Sequence, residues 1–455
     1  MTIGQHKAIF NMLTNNVLLE VFDWYLKLWN KSWKWITLVH VCRRWRHIVF
    51  GSRRLELCLL CTYGAPVRRR LDCWSSLPID IKYWANLRFR PSSPKDEDNL
   101  IATLEHPGHV SEIQLPLTGS LLEKVAKQML VRFPALTSLS FWLDKGTGTP
   151  PTSPTTFLAG CYSCLRDISF IGISFSRLPE LLASNTDLVS LRLLEVPCDG
   201  YNSPDVIATC LSKLSHLRML CTEFHSPPFC RYNQEHIRPP METPSLKLPS
   251  LTQLNFLGTS EYLKDLVTRP PFLSKVNITF FNQLIFSIPR LSRFTGQIEG
   301  YKSAKIAEVE SPPGNGVSKT ITLDPNQLLG YFLTLRVTCT DSDRQMSAVA
   351  QICHQAFSLL SNVADLDIRA DCLRKEEYMD PIAWLEFSDL FPSVGMLRIS
   401  GELGPHVAPA LEVVDEETTR AMLPELRMLL FECALKSAVN VHLAIFPCIW
   451  DYAYT

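Results

Sequence analysis

Along residues 12–50 the apolar positions fall on a helical period. Val17, Val21 and Tyr25 stand at i, i+4 and i+8, with Leu18, Phe22 and Leu26 beside them, a broad stripe that predicts one amphipathic helix. Thr14, Asn15 and Asn16 precede it and suit an N-cap, since their side-chain oxygens can accept from the free amides of a first turn. After Trp29-Asn30-Lys31-Ser32-Trp33, a second helix is predicted with Leu38, Cys42, Trp45 and Val49 on one face. His40, Arg43, Arg44, Arg46 and His47 crowd its other side. So small a unit with so much aromatic surface is expected to finish its burial against a partner.

The pattern then changes. A turn-rich passage holds Arg68-Arg69-Arg70 and Arg90-Pro91-Ser92-Ser93-Pro94-Lys95-Asp96. From about residue 106 a phrase recurs, apolar-x-x-apolar-x-apolar, in which the last three positions alternate like a half-buried strand. It appears as Leu136-Thr137-Ser138-Leu139-Ser140-Phe141 and again from Leu165, Leu188, Leu251 and Leu273. Later copies are placed at Phe332, Val363, Val394 and Leu426, at a spacing near 31. Short helical patterns precede the strands. Ser120-Leu121-Leu122-Glu123 spells a capping box, and Ser203-Pro204-Asp205 an N-cap, a first-turn proline and an early acid. Helix alternating with strand at this period resembles a leucine-rich repeat. The expected fold is therefore α/β: a small helical unit, then an irregular repeat solenoid, a horseshoe with parallel strands on its concave face. The expected divisions are 10–60 for the helical unit, 61–105 for a linker, and 106–310 and 311–455 for two blocks of repeats. The six prolines of 226–250 mark a projecting loop, and Ser311-Pro312-Pro313-Gly314-Asn315-Gly316 marks the break between blocks.

Composition narrows the function. With 455 residues, 46% hydrophobic and 20% charged, the chain has material for more than one core and is not a disordered tail. No run approaches the ~20 apolar residues of a membrane span, and the N-terminus lacks a signal-peptide build. The expectation is a soluble cytoplasmic or nuclear protein with no membrane partner. Fifteen scattered cysteines suit a reducing compartment. Cys58/Cys61 and Cys161/Cys164 are Cys-x-x-Cys pairs, but about a hundred residues separate them and neither has a histidine at ligand spacing, so no metal is expected. Nucleophile elbows, phosphate-cradling glycine loops, His-Glu-x-x-His helices and calcium loops do not occur, so no catalytic residue, cofactor or enzyme activity is expected.

Net charge is zero but unevenly placed. Residues 1–90 hold fifteen bases against five acids, and the remainder thirty against forty. A basic head favours an acidic partner. Nucleic acid is disfavoured, because the rest of the chain is acidic.

Leu13-Thr14-Asn15-Asn16-Val17-Leu18-Leu19-Glu20-Val21-Phe22, followed by Leu38-Val39-His40-Val41-Cys42-Arg43-Arg44-Trp45-Arg46-His47-Ile48, resembles an F-box. The family spelling is Leu-Pro-x-Glu-apolar-Leu-x-x-Ile-Phe, then Leu-x-x-Val-Cys-Arg-Arg-Trp. Here Thr14 replaces the proline and Asn16 the early acid. Phe50 to Leu57, Leu60 to Val67, Asp96 to Asn99, Leu104-Glu105-His106 and Ser260 to Leu263 are similar to F-box proteins of mushroom-forming fungi. The resemblance implies a substrate adaptor of a Skp-cullin-F-box ubiquitin ligase. In that role the F-box docks the Skp adaptor, and through it cullin, while the repeats hold an unidentified protein target. By motif position Leu13, Val17, Leu18, Val21, Phe22, Val41, Cys42 and Trp45 carry over to the adaptor interface or the F-box core. The alternative is a repeat-based interaction scaffold, outside any ligase, with a decayed F-box.

Alternation along the repeat strands places Ser138, Ser140, Trp142, Asp167, Ser169, Ser190, Arg192, Gln253, Asn255, Lys275 and Asn277 on the expected concave surface. Ser140, Trp142, Arg192 and Asn255 are the candidate target-binding residues, with Trp142 and Arg192 as anchors.

Overall fold

The computed structural model describes residues 13–28, 34–52, 57–61, 77–82, 94–143, 164–175, 177–197, 202–224, 249–258, 275–280, 303–310, 317–324, 332–339, 360–370, 388–401, 423–432 and 446–447, with Leu55, Tyr262, Leu263 and His354. The chain divides into two compact units, residues 1–173 and 174–455.

The first unit opens with three helices, α1 (Asn15–Leu28), α2 (Trp35–Val41) and α3 (Arg43–Gly51). The predicted second helix is thus two. Cys42 sits between them with extended backbone, φ −158° and ψ 170°, and its Sγ accepts the Trp45 amide at 3.4 Å. That cysteine therefore ends α2 and caps α3, so Leu38 and Val49 do not share one continuous helix face with it. Leu18, Phe22, Trp35, Leu38, Val39, Ile48 and Val49 form the small core. Trp35 Nε1 donates to the Cys58 carbonyl at 2.7 Å and so ties the helices to the first strand region.

Five parallel strands follow, β1 (Leu59–Cys61), β2 (Ile79–Lys82), β3 (Val110–Leu117), β4 (Ser138–Leu143) and β5 (Asp167–Ile171), paired in that order. Helices α4 (Pro94–Leu104) and α5 (Gly119–Gln128) connect β2 to β3 and β3 to β4. The stretch 61–105, expected as a linker, thus supplies β2 and α4. Helix α5 starts ahead of the predicted Ser120 cap: Thr118 Oγ1 accepts the Leu121 amide at 3.3 Å, and Ser120 lies inside the helix.

The second unit holds α6 (Leu178–Ala183), β6 (Ser190–Val196), α7 (Pro204–Leu211), β7 (Met219–Phe224), β8 (Gln253–Gly258) and β9 (Lys275–Phe280), with β6 to β9 parallel. Beyond β9 the order departs from a simple repeat. Strands β10 (Ser303–Glu310), β11 (Val317–Asp324) and β12 (Phe332–Cys339) form an antiparallel meander laid in reverse, so that β12 pairs with β9. Strand β13 (Asp365–Ala370) returns to pair with β10, and β14 (Met396–Gly401) and β15 (Met428–Glu432) continue in parallel. A two-residue strand, β16 (Phe446–Pro447), pairs antiparallel with β15. The break read at Ser311 to Gly316 thus falls between β10 and β11, where Glu310 stands opposite Val317 and the chain reverses. The copy placed at Phe332 is displaced by two residues: Leu333 and Leu335, not Leu335 and Val337, stand in register with Val276 and Ile278.

The repeat phrase has a backbone cause. Before each of several strands, two successive amides converge on one carbonyl of the preceding repeat. Arg166 and Asp167 share Thr137 O, Arg218 and Met219 share Val189 O, and Thr252 and Gln253 share Arg218 O. The same pairing joins Gly395 and Met396 to Ala364 O, and Arg427 and Met428 to Gly395 O. A turn bond precedes it, from Leu136 to Phe133 O, Leu217 to Leu214 O, Val363 to Leu360 O and Val394 to Phe391 O. The turn and strand bonds bring four side chains of a copy to fixed places, and in one copy Phe133, Leu136, Leu139 and Phe141 are all buried. These are the stacked ladders that give a parallel sheet its apolar side.

Candidate functional site

Two surfaces stand out, one on the helices and one on the strands. In α1, Thr14 Oγ1 accepts the Val17 amide at 3.4 Å and serves as the N-cap. The helix buries Leu18 and Phe22 and turns another stripe outward. Val17, Val21, Trp24 and Leu28 are 44%, 45%, 63% and 57% exposed. They stand at i, i+4, i+7 and i+11, one face of a helix about 21 Å long. Val41 is exposed at 56%, as is Phe50 at 40%.

The motif residues thus divide. Leu18 and Phe22 are core, and Phe22 packs on the half-buried Trp45 with ring centroids 4.7 Å apart. Val17, Val21, Val41 and Cys42 are exposed, and Leu13 is half-buried. Trp24 and Leu28 extend the exposed stripe beyond the motif, and their spacing from Val17 marks them in the sequence.

Arg44, read as part of a solvated face, has a structural task. Its guanidinium reaches Asn15 Oδ1 from Nε at 3.2 Å and Nη2 at 2.9 Å, and Nη2 also donates to Leu13 O. One arginine thereby pins the start of α3 to the start of α1. Arg46 Nε donates to Val39 O at 3.1 Å, at the end of α2. His40, Arg43 and His47 are exposed and keep this side of the helices basic.

The second surface is the strand face opposite the buried ladders. In the first unit the register lines up Asp80, Glu112, Ser138 and Asp167 in one row, and Lys82, Gln114, Ser140 and Ser169 in the next. Pro116, Trp142 and Ile171 form a third, apolar row, all half-buried. Lys82 Nζ lies 3.3 Å from Asp80 Oδ2 and also bonds Glu112. Gln114 Nε2 donates to the other Glu112 oxygen at 2.5 Å. Ser111 is the extra residue where the β2–β3 register shifts, and its hydroxyl donates to Asp80 Oδ1 at 2.7 Å. Burial pulls the Lys82 ammonium down, but the Glu112 hydrogen bond and the two carboxylate charges outweigh it and raise its pKa.

In the second unit Arg192, Cys221, Asn255 and Asn277 share one row. Asn277 Nδ2 donates to Asn255 Oδ1 at 2.8 Å. Burial pushes the Cys221 thiol up to about 11, which makes it a poor nucleophile near neutral pH. Arg192 is exposed, while Asn255 and Ser140 are half-buried. The two expected anchors, Trp142 and Arg192, belong to different compact units. Asp80, Lys82 and Glu112 were not among the sequence candidates: β2, with Asp80 and Lys82, lies in the segment read as a linker, and the β3 strand that carries Glu112 was not among the quoted copies of the phrase.

Of the Cys-x-x-Cys pairs, Cys58 and Cys61 are buried and Cys164 is exposed; Cys161 lies outside the described residues, as do 226–248 of the proline-rich loop and 311–316. Among the described residues no cluster of three or more His, Cys, Asp or Glu could hold a metal ion, and no helix is long and apolar enough to cross a membrane. A scan against protein-family models and a search of curated proteins return no match to the chain.

Proposed function

We propose that the chain is a substrate-recognition adaptor of a Skp-cullin-F-box ubiquitin ligase, with an F-box at α1–α3 and a leucine-rich-repeat solenoid beyond it. The observation that carries this reading is the stripe of Val17, Val21, Trp24 and Leu28, left exposed by a helix whose other face buries Leu18 and Phe22. Contiguous apolar surface of this kind marks a protein interface. The exposed bases of α2 and α3, Arg43, Arg46, His40 and His47, favour an acidic partner such as the Skp adaptor. The strand rows then present polar and aromatic side chains to a target, which the ligase ubiquitinates without chemistry from this chain.

A pull-down of the full chain with purified Skp adaptor tests the reading. The wild type is expected to form a complex, and Val21→Asp/Trp24→Asp to lose it. Both residues are exposed, so the unfolding free energy of the variant should stay within about 0.5 kcal/mol of wild type. No complex with the wild type leaves the repeat scaffold outside a ligase.

A further inference from the structure

We infer that the strand face of the second unit takes an extended acidic segment laid across the strands, with one aspartate or glutamate over Arg192 and its backbone on the amides of Asn255 and Asn277. The inference rests on the reading of the strand rows as the target surface and adds the chemistry and spacing of the target.

The charge comes from one residue. Arg192 alternates with the buried Leu191 and Leu193 of β6, so it stands on the side away from the ladders, and it is exposed. Arg44 and Arg46 are spent on holding the helices, and Arg398 lies 4.0 Å from Asp367. The Arg192 guanidinium, by contrast, makes no hydrogen bond and no ion pair among the described residues. Glu223, two residues beyond the Cys221 partner of Arg192, takes the thiol proton at 3.8 Å and forms no ion pair with it. The rest of the row, Cys221, Asn255 and Asn277, carries no charge at neutral pH. A planar fork of donors with no acid to fill it complements a carboxylate.

The amides supply the second half. Asn277 Nδ2 gives one of its two protons to Asn255 Oδ1 at 2.8 Å, which holds the two side chains together. Asn277 keeps its Oδ1 and its second N–H, and Gln253, half-buried two residues before Asn255, makes no hydrogen bond among the described residues. Side-chain amides offer both an acceptor and donors, the complement of a peptide unit. Adjacent strands lie ~4.8 Å apart, so Asn255 and Asn277, two and three strands from Arg192, stand about 10 and 14 Å from it. An extended chain covers those distances in about three and four residues.

The test is fluorescence polarisation of the full chain with eleven-residue peptides in a threonine-serine background, which favours the extended form. One peptide has a central Glu, a second Gln and a third Lys. A fourth keeps Glu but is N-methylated at the residues three and four positions from it on both sides. The Glu peptide is expected to bind at least about fivefold more tightly than the Gln peptide, with the gap narrowing as salt rises. N-methylation removes backbone donors and should weaken the Glu peptide by about fivefold. Arg192→Gln should erase the Glu preference, and Arg192→Glu should turn it toward Lys. Asn255→Ala/Asn277→Ala should remove the effect of N-methylation and keep the Glu preference. Equal binding of the Glu and Gln peptides, no binding, indifference to N-methylation, or a Glu preference that survives Arg192→Gln overturns the inference. Val21→Asp/Trp24→Asp should bind the peptides as the wild type does, and a loss there would put the peptide on the helices and also overturn it. A chain that binds the adaptor but not the Glu peptide refutes the inference and keeps the ligase reading. A chain that binds the Glu peptide through Arg192 but not the adaptor does the opposite.

Discussion

The helical unit and the parallel strands bury their side chains by opposite means. The helices rely on a few large residues placed singly: Phe22 against Trp45, and Trp35 edge-on to Phe50 at 5.7 Å with its indole nitrogen on Cys58 O. The strands rely on many medium-sized residues in register, such as Ile113, Leu139 and Ile168, where each copy braces the next. A core built on keystones leaves surface over, and here the surplus is the α1 stripe. A laddered core leaves none on its apolar side, and its free surface is the polar face. The difference teaches what each region leaves exposed: the helices an apolar stripe, the strands polar rows.

The largest test breaks the keystone. Phe22→Ala removes a fully buried ring and should cost about 3–5 kcal/mol within the helical unit. Helical circular dichroism and adaptor binding should fall together, while the strand signal in hydrogen exchange persists. Simultaneous loss of both signals would mean the regions fold as one.

A smaller effect of opposite sign is expected in the repeats. Asn185 occupies the turn position that Phe133, Leu214, Leu360 and Phe391 fill in other copies. It is fully buried, its Nδ2 donates to Leu181 O at 2.6 Å, and its Oδ1 has no hydrogen-bond partner. Asn185→Leu restores the ladder and should stabilise by about 1 kcal/mol, read as a higher denaturant midpoint. A lower midpoint would show that the amide holds the turn.

The smallest effect depends on pH. Burial raises the Glu223 carboxyl above the ordinary 4.5, and the Glu195 charge adds to it. The native state therefore holds its proton to higher pH than the unfolded chain, and stability falls as pH rises through that window. Glu223→Gln removes the penalty. The variant should melt above wild type at pH 7 and lose that margin at pH 3, and a margin independent of pH would count against the mechanism.

Much of this was legible in the sequence because spacing is cheap to read. The α1 period, the Thr14 cap and the strand phrase all rest on local geometry, and the phrase aligned Ser138 with Asp167 and Gln253 with Lys275 as the register does. What escaped was set by distant contacts. Cys42 reads as an apolar helix position, and only its extended backbone reveals a cap. Arg44 looks solvated until Asn15 and Leu13 arrive from 29 and 31 residues away. The Leu217 copy hides behind Thr222, a buried hydroxyl where the phrase wants an aliphatic residue. Pairing order is invisible to periodicity, and so the reversed meander and the shifted register at Leu333 went unread.

That meander has a kinetic consequence. Parallel repeats joined in sequence can zip up one after another as the chain emerges, each new strand docking on the last. Strand β9 cannot be completed this way, because its neighbour β12 begins 52 residues after β9 ends, and β13 must wait for β10 to be held in the meander. The edge of β9 stays bare through the synthesis of both intervening strands. At a ribosomal rate of about 5–20 residues per second that is several seconds of exposed, unpaired backbone. The middle of the second unit is therefore the nucleation bottleneck of the chain and the point at which a chaperone has the longest window to engage it.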